Sequence, residues 1–480
     1  HGFHFPNSLP CRQSFIFIFL ILSMSYESLI NIKRFRSKQI YGVFTGALLL
    51  FLSYEHFLVD ETYDFPIIYL SILFLILYLF VLQLYKSKRK KALLLFLLVA
   101  IAEVVINFNG TGLSTVTREY YTNDNEGIES ILNTIEEKDD SFYRIEKYKR
   151  RTKNDGAWHQ YKGVSIFSST AYAGLNDFQK ALGFESSMNA SSFYGQTPLT
   201  SSLFSVKYML GKEEIADTRL TSLMLQSKEE YLYKNNYTLP LAFMLPTDFD
   251  KKWDISSTDP FLVQNNFTKE LLQKNLFTPV ATSSSGSTIA LNIQTSDEVY
   301  IYITTKNIET VNVSVIDING IEVSTEVYED YNYRHILNLG SYEPGTFIHV
   351  SSEEGEIDLD LKAYAFNEEV FLNVYDKLSQ EPFLIEKFED TFISGSIYSK
   401  EDGLMYTSIP YDKGWSVKVD NIEVEPIPFK DAFLAIPLNQ GEHIIEFSYR
   451  PQGLMIGGLI SGISLLSFCV ILFARKYIKE

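Results

Sequence analysis

Cysteine is nearly absent from this chain: Cys11 and Cys469 are the only two in 480 residues. A disulfide framework is therefore excluded, and any exported portion must be held together by its apolar core. That habit fits a bacterium better than a eukaryotic secretory protein. Nucleotide chemistry is missing as well. The chain has no Walker loop, dinucleotide fingerprint, Ser/His/Asp signature or CxxC motif, so no cofactor is expected. Histidine is scarce. His1 and His4 have no third ligand at useful spacing, which leaves no expected metal site. Base is in short supply too: 42 Lys and Arg face 59 Asp and Glu, a net charge of −17. An acidic surface of this kind argues against nucleic acid as a partner.

Apolar residues are abundant, in five runs: Arg12–Ile32, Ile40–Val59, Phe65–Tyr85, Ala92–Phe108 and Gly453–Phe473. Each is about the ~20 residues that a helix needs to cross a bilayer. Lys33, Arg34, Arg36 and Lys38 separate the first two runs; Lys86, Lys88, Arg89, Lys90 and Lys91 separate the third and fourth; Arg475, Lys476 and Lys479 follow the fifth. The loop between the second and third runs carries Asp60, Glu61 and Asp64 and no base. By the positive-inside rule the basic loops are cytoplasmic, and everything from Asn109 to Gln452 lies outside. Cytoplasmic loops of about six residues cannot fold a kinase, an ATPase or a nucleotide-sugar site. A group-transfer reaction on the outer face then needs a donor delivered through the membrane, and a lipid-linked sugar is the obvious one. The chain opens at His1, and His1–Cys11 lacks the basic start of a signal peptide. The expectation is the C-terminal part of a longer polytopic protein.

The expected fold is a membrane α-helical unit of five transmembrane helices with a large extracellular α/β region that includes β-sandwich, jelly-roll-like domains. Residues 1–108 form four membrane helices with the N-terminus outside, and 109–281 a mixed α/β domain. Residues 289–382 form a β-sandwich with a trailing helix, 383–452 a membrane-proximal sandwich, and 453–480 the last span with its basic tail. Within 109–281, Ile128, Ile131, Leu132 and Ile135 mark a helix, and Phe142–Tyr148, Val206–Leu210, Tyr231–Lys234 and Leu241–Leu245 read as strands. Asp177–Leu182 reads as a short helix, and Thr282–Thr288 (TSSSGST) as a linker. Beyond it the period becomes two. Val311, Val313 and Val315 precede Asn319–Gly320, and Val417 and Val419 precede Asp420–Asn421. Both pairs predict hairpins closed by a type I′ turn, whose two central residues take positive φ. Asn367–Ser379 predicts a helix with Val370, Val374 and Leu378 on one face.

Few residues stand out as carriers of chemistry. Glu27, Glu55 and Glu103 fall inside apolar runs, where acids are costly. Asn107 lies one turn beyond Glu103 on the same face, as a polar clasp between helices or as a functional pair. Arg12, at the outer mouth of the first run, is placed to bind a donor's lipid phosphate or to anchor the interface. Trp415, after Gly414, is a sugar-stacking aromatic or part of a sandwich core. Gly453, Gly457, Gly458 and Gly462 open the fifth run with small-xxx-small spacing, which favours close helix packing.

Several stretches, in order, carry a family resemblance. They are His1–Phe19 (HGFHFPNSLPCRQSFIFIF), Tyr161–Thr170 (YKGVSIFSST), Pro198-Leu-Thr with Val206-Lys-Tyr-Met, Leu239–Met244 (LPLAFM), Ser408–Trp415 (SIPYDKGW), Gly441-Glu-His and Tyr449–Gly453 (YRPQG). Together they resemble the C-terminal part of the YfhO family of bacterial membrane proteins. The resemblance implies a GT-C type glycosyltransferase of the bacterial cell membrane, multi-pass, with a large extracellular domain. Such enzymes take sugar from a polyprenyl-phosphate-linked donor, and this family is linked to glycosylating lipoteichoic acid or a related cell-wall polymer. The implied partners are that donor, the polymer acceptor and membrane lipid. The family's catalytic acid belongs to a first external loop upstream of His1. No catalytic residue is therefore carried over, and Asp60, Glu61 and Asp64 are not at the matching position. A non-enzymatic glycan-binding or scaffold protein of the envelope is the alternative.

Overall fold

Helices occupy all five apolar runs, because a long run rich in Leu, Ile and Phe satisfies its backbone internally as a helix, and the few glycines within the runs are tolerated. They span Ser14–Ile30, Ser37–Leu58, Phe65–Ser87, Arg89–Thr111 and Leu454–Ile478. The computed structural model describes residues 14–58, 65–87, 89–111 and 116–478, apart from 216, 286, 307, 330, 332–333 and 353–357. Among the described residues three segments are long and apolar enough to cross a membrane: Ile68–Ser87, Ala92–Asn109 and Leu454–Ala474. The chain divides into two units, His1–Tyr121 and Thr122–Glu480.

In the first unit, Ile32, Ile40, Tyr85 and Ala92 share a small buried cluster. The cluster draws the segment after the first helix to the segment joining the third and fourth. Lys86 Nζ donates to the Phe35 carbonyl oxygen and, at 3.4 Å, to Ser37 Oγ. Both basic segments thus sit at one end of this unit.

The second unit begins with the helix Asn125–Lys138, whose Ile128, Ile131 and Ile135 are buried. They pack on Ile145, Tyr208, Leu210 and Leu232 of a four-stranded sheet. Its strands, in spatial order, are Arg144–Lys147, Val206–Gly211, Glu230–Asn235 and Thr221–Ser227, the first pair parallel and the others antiparallel. At the C-terminal end of the helix, Asp139 accepts hydrogen bonds from Lys207 Nζ (2.6 Å), Tyr208 Oη (2.7 Å) and Ser141 Oγ (2.6 Å). Burial pushes its pKa up, but these donors outweigh burial and hold it at about 2. A carboxylate depressed in the folded state stabilises the fold above its unfolded pKa and loses that contribution as pH falls through the folded one. Asp139→Asn is expected to melt earlier than the parent at pH 7. The two melting temperatures should converge as pH is lowered from about 4 to about 2. A gap that stays constant across that range would remove Asp139 as the cause.

Two sandwiches follow. In the first, the five-stranded sheet runs Ala281–Ser285, Thr288–Asn292, Phe347–Ser352, Val311–Ile316, Glu322–Tyr328. The four-stranded sheet runs Ile336–Ser341, Glu298–Ile303, Leu361–Phe366, Phe277–Pro279. Leu291, Val311 and Val350 of one sheet share a core with Ile301, Leu339 and Ala363 of the other. The Ser-rich segment 282–288 is therefore not a linker. Ala281–Ser285 pairs antiparallel with Thr288–Asn292 as an edge hairpin, where backbone bonds set the structure and exposed Ser and Thr side chains are tolerated.

In the second sandwich, one sheet runs Leu384–Glu389, Phe392–Ser399, Gly441–Tyr449, Trp415–Val419, Ile422–Val424. The other runs Ile427–Phe429, Phe433–Leu438, Gly403–Pro410, Ala242–Pro246. Ala242–Pro246 comes from far upstream and pairs antiparallel with Gly403–Pro410. The helix Glu368–Leu378, capped by Asn367 on Val370 N, buries Val370, Phe371 and Val374 in the core that holds Trp253, Phe261 and Phe433. Both hairpins form. At Asp420–Asn421 both residues have positive φ (52° and 65°), as a type I′ turn requires. At Asn319–Gly320 only Gly320 does (φ 78°). That turn is longer than type I′, because the Asp317 carboxylate accepts from Asn319 N and Ile321 N and closes it locally.

Candidate functional site

A cleft of ≈ 240 Å³ lies where the mixed α/β region meets the first sandwich. Such junctions are the usual place for ligand sites. One wall is the start of the helix Pro198–Leu203. Thr197 caps it reciprocally with Thr200, and Pro198 fixes its first turn. Met209, Thr221 and Asn235 come from the mixed sheet, Glu298, Tyr300 and Asn338 from the sandwich, and Phe371 from the helix after it. Tyr148 and Tyr237 complete the aromatic surface.

A short polar relay orders the floor. Asn338 Nδ2 donates to Tyr300 Oη (3.3 Å), which donates to Glu298 Oε2 (2.6 Å). Asn235 Nδ2 is held by the Val206 carbonyl oxygen at 2.7 Å. Burial pushes the phenols of Tyr148 and Tyr300 above their ordinary value, and the Glu298 carboxylate adds to both shifts. Both phenols stay neutral hydroxyls at working pH. No Lys, Arg or His is among the lining residues, and Glu298 is the sole carboxylate among them. Aromatic faces with amide and hydroxyl groups suit an uncharged polyol such as a sugar ring. They do not suit a phosphate, and one carboxylate does not make an acid–base pair.

Of the residues singled out from the sequence, those that the structure describes are not among the lining residues. Arg12, His1, His4 and Cys11 fall outside the described residues. Glu103 accepts a hydrogen bond from Tyr78 Oη, which joins the fourth helix to the third. Tyr78 also packs on Phe96, ring centroids 5.5 Å apart. Glu103 is thus paired with Tyr78; Asn107 lies one turn further on at an exposed position. Trp415 is half-buried at the edge of the second sandwich, against Tyr449 (5.0 Å) and Phe447 (6.4 Å), and is not part of the cleft.

The stretches that carry the resemblance have clear structural roles. Tyr161–Thr170 is a loop pinned to the buried Glu146 carboxylate, which accepts from Val164 N, Ser165 N and Ser165 Oγ. Ser408, from Ser408–Trp415, accepts from the buried Arg144 guanidinium through both its hydroxyl and its carbonyl oxygen. Pro198 and Met209 line the cleft. Tyr148, Tyr237, Tyr300 and Asn338 belong to no motif, and only the fold brings them together.

Comparison with known proteins agrees with the resemblance. Residues 1–461 match the family described as "Bacterial membrane protein YfhO". A curated relative, "Uncharacterized protein YfhO" of Bacillus subtilis (strain 168), is 22% identical over 401 residues, which cover 74% of this chain and 46% of that protein. The chain thus spans about half the length of that relative. Among solved structures, vicilin from Corylus avellana covers 37% of this chain and 82% of its own, with 7% identity and a TM-score of 0.12. Quercetin 2,3-dioxygenase from Acinetobacter baumannii covers 36% and 78%, with 6% identity and a TM-score of 0.10. Scores this low carry no argument about fold or function.

Proposed function

Because the chain belongs to the YfhO family of bacterial membrane proteins, we propose that it is the C-terminal part of a GT-C type glycosyltransferase. The parent protein takes a sugar from a polyprenyl-phosphate donor and places it on lipoteichoic acid or a related wall polymer at the outer face. In this reading all five helices cross the membrane, the basic loops lie inside, and the region from Asn109 to Gln452 lies outside. The clustering of both basic segments at one end of the first unit supports that topology.

One observation carries the reading for this part of the protein. The cleft presents Tyr148, Tyr237, Tyr300 and Phe371 beside Gln196, Asn235 and Asn338, with no cation. It holds a neutral sugar unit of the acceptor while general-base chemistry resides upstream of this chain. Arg12 supplies a planar fork for the donor's lipid phosphate. A second reading has specific support as well. With Glu298 as its sole lining carboxylate, the cleft equally serves a non-enzymatic glycan-binding protein of the envelope.

The two readings separate in cells. NMR of lipoteichoic acid from a strain deleted for the full gene is expected to show a lost sugar substituent, restored by the wild-type gene. Arg12→Ala at equal protein level is expected to restore at most a few per cent of it, since removing a charge-assisted contact costs roughly 1.5–3 kcal/mol. Unchanged polymer on deletion favours the binding protein. Full restoration by Arg12→Ala removes Arg12 from the donor site.

A further inference from the structure

We infer that the end of the membrane-proximal sandwich around Trp415 and Tyr449 is a docking collar for lipid headgroups. The inference needs Leu454–Ala474 to cross the bilayer and does not depend on the transferase reading. The last strand ends at Tyr449 and the apolar helix begins at Leu454. Five residue steps reach at most about 18 Å when fully extended. This connection is shorter than that limit because it is bonded as a turn. Tyr449 N donates to the Thr391 carbonyl oxygen and Arg450 N to that of Gly414, both at 2.9 Å, and Leu454 N donates to that of Pro451 at 3.3 Å. A side chain at Gly414 would meet the Arg450 carbonyl oxygen at 2.6 Å and the Tyr449 ring at 2.8 Å, so the loop 412–414 is held tight against the strand end. The sandwich is therefore seated on the start of the helix.

The chemistry at this end matches a headgroup layer. Trp415 pairs with Tyr449 in register, and their rings stack at a tilt, both half-buried. Tyr411 is half-buried beside Tyr172, with centroids 6.3 Å apart. Lys413, in the loop packed on the strand end, and Arg450, between Tyr449 and the helix in sequence, are both exposed. Trp and Tyr favour the depth where an apolar ring meets a polar edge, and Lys and Arg there meet lipid phosphate. No residue of Leu454–Ala474 is buried by protein in this structure, so the helix itself calls for lipid directly below the collar. This placement makes Trp415 a lipid contact rather than a sugar platform.

The test uses the whole chain with Trp158→Phe, reconstituted in phosphatidylglycerol/phosphatidylethanolamine vesicles. Trp253 is 1% exposed, so quenching in this variant reports Trp415. A lipid with a nitroxide on its headgroup is expected to quench a large part of the emission, and the loss should disappear when Trp415→Phe is added. Emission untouched by the labelled lipid would overturn the proposal. So would emission shielded from a soluble quencher by added wall polymer but not by lipid.

Discussion

Arg144→Met is expected to lower the stability of the second unit by about 3–5 kcal/mol, above the usual range for one substitution. Arg144 is half-buried, and desolvation of its guanidinium pushes its pKa down to about 10, which still leaves it a cation at neutral pH. Its Nη1 donates to the Phe204 carbonyl oxygen and to Ser408 Oγ, both at 2.7 Å, and its Nη2 donates to the Ser408 carbonyl oxygen at 2.8 Å. The guanidinium also lies over the Phe142 ring, 5.0 Å from its centroid. These contacts tie the first strand of the mixed sheet to the strand Gly403–Pro410, 264 residues downstream of it at Ser408. Methionine fills the stem's volume but leaves two carbonyl oxygens and a hydroxyl short of their donor, and unmade buried bonds cost more than made ones return. Lysine keeps the charge but not the fork, so Arg144→Lys should recover only part of the loss. Thermal unfolding in nanodiscs reads the effect. A cycle with Ser408→Ala isolates the bond, because partners in direct contact are non-additive. Additive losses would mean that the bond to the Ser408 hydroxyl contributes nothing and that Arg144 acts through the two carbonyl oxygens and packing.

This tie also shows where sequence reading stops. The helix at Asn125–Lys138, the hairpin at Asp420–Asn421 and the helix capped by Asn367 are local features. Their periodicity, turn residues and caps lie within about one element's length, and each is found where the pattern puts it. The destination of Ala242–Pro246 is not local. Its sequence reads as a buried strand, but nothing in five apolar residues says that its partner lies at Gly403–Pro410. The Ser-rich strand Ala281–Ser285 misleads for a different reason. An edge strand draws its stability from backbone bonds, so its composition can resemble a loop. The cleft was the least legible feature. Its lining runs from Tyr148 to Phe371, and polar residues of ordinary type become a site only when the sandwich closes on the mixed sheet.

Filling that cleft should abolish its function without unfolding the protein, and Thr221→Trp is the change that does so. Thr221 lines the cleft at the first residue of an edge strand and is only half-buried. Its backbone is extended, where an aromatic side chain is well accommodated. An indole projecting into a space of ≈ 240 Å³ removes room for a sugar ring against Tyr237 and Phe371. The expected result is a loss of at least ~100-fold in affinity for wall polymer, about 2.7 kcal/mol, with an unchanged melting temperature. Asn338→Ala is the milder companion. It removes an exposed amide whose half-buried bond orients Tyr300, and should cost at most about tenfold, one hydrogen bond's worth. In cells Thr221→Trp should leave the polymer as poorly decorated as in the deletion strain if the cleft positions the acceptor. Normal decoration with lost binding would assign the cleft to polymer retention outside the reaction. Normal binding with the indole in place would move the glycan contact away from the cleft altogether. The substitution therefore separates an acceptor site from a simple tether.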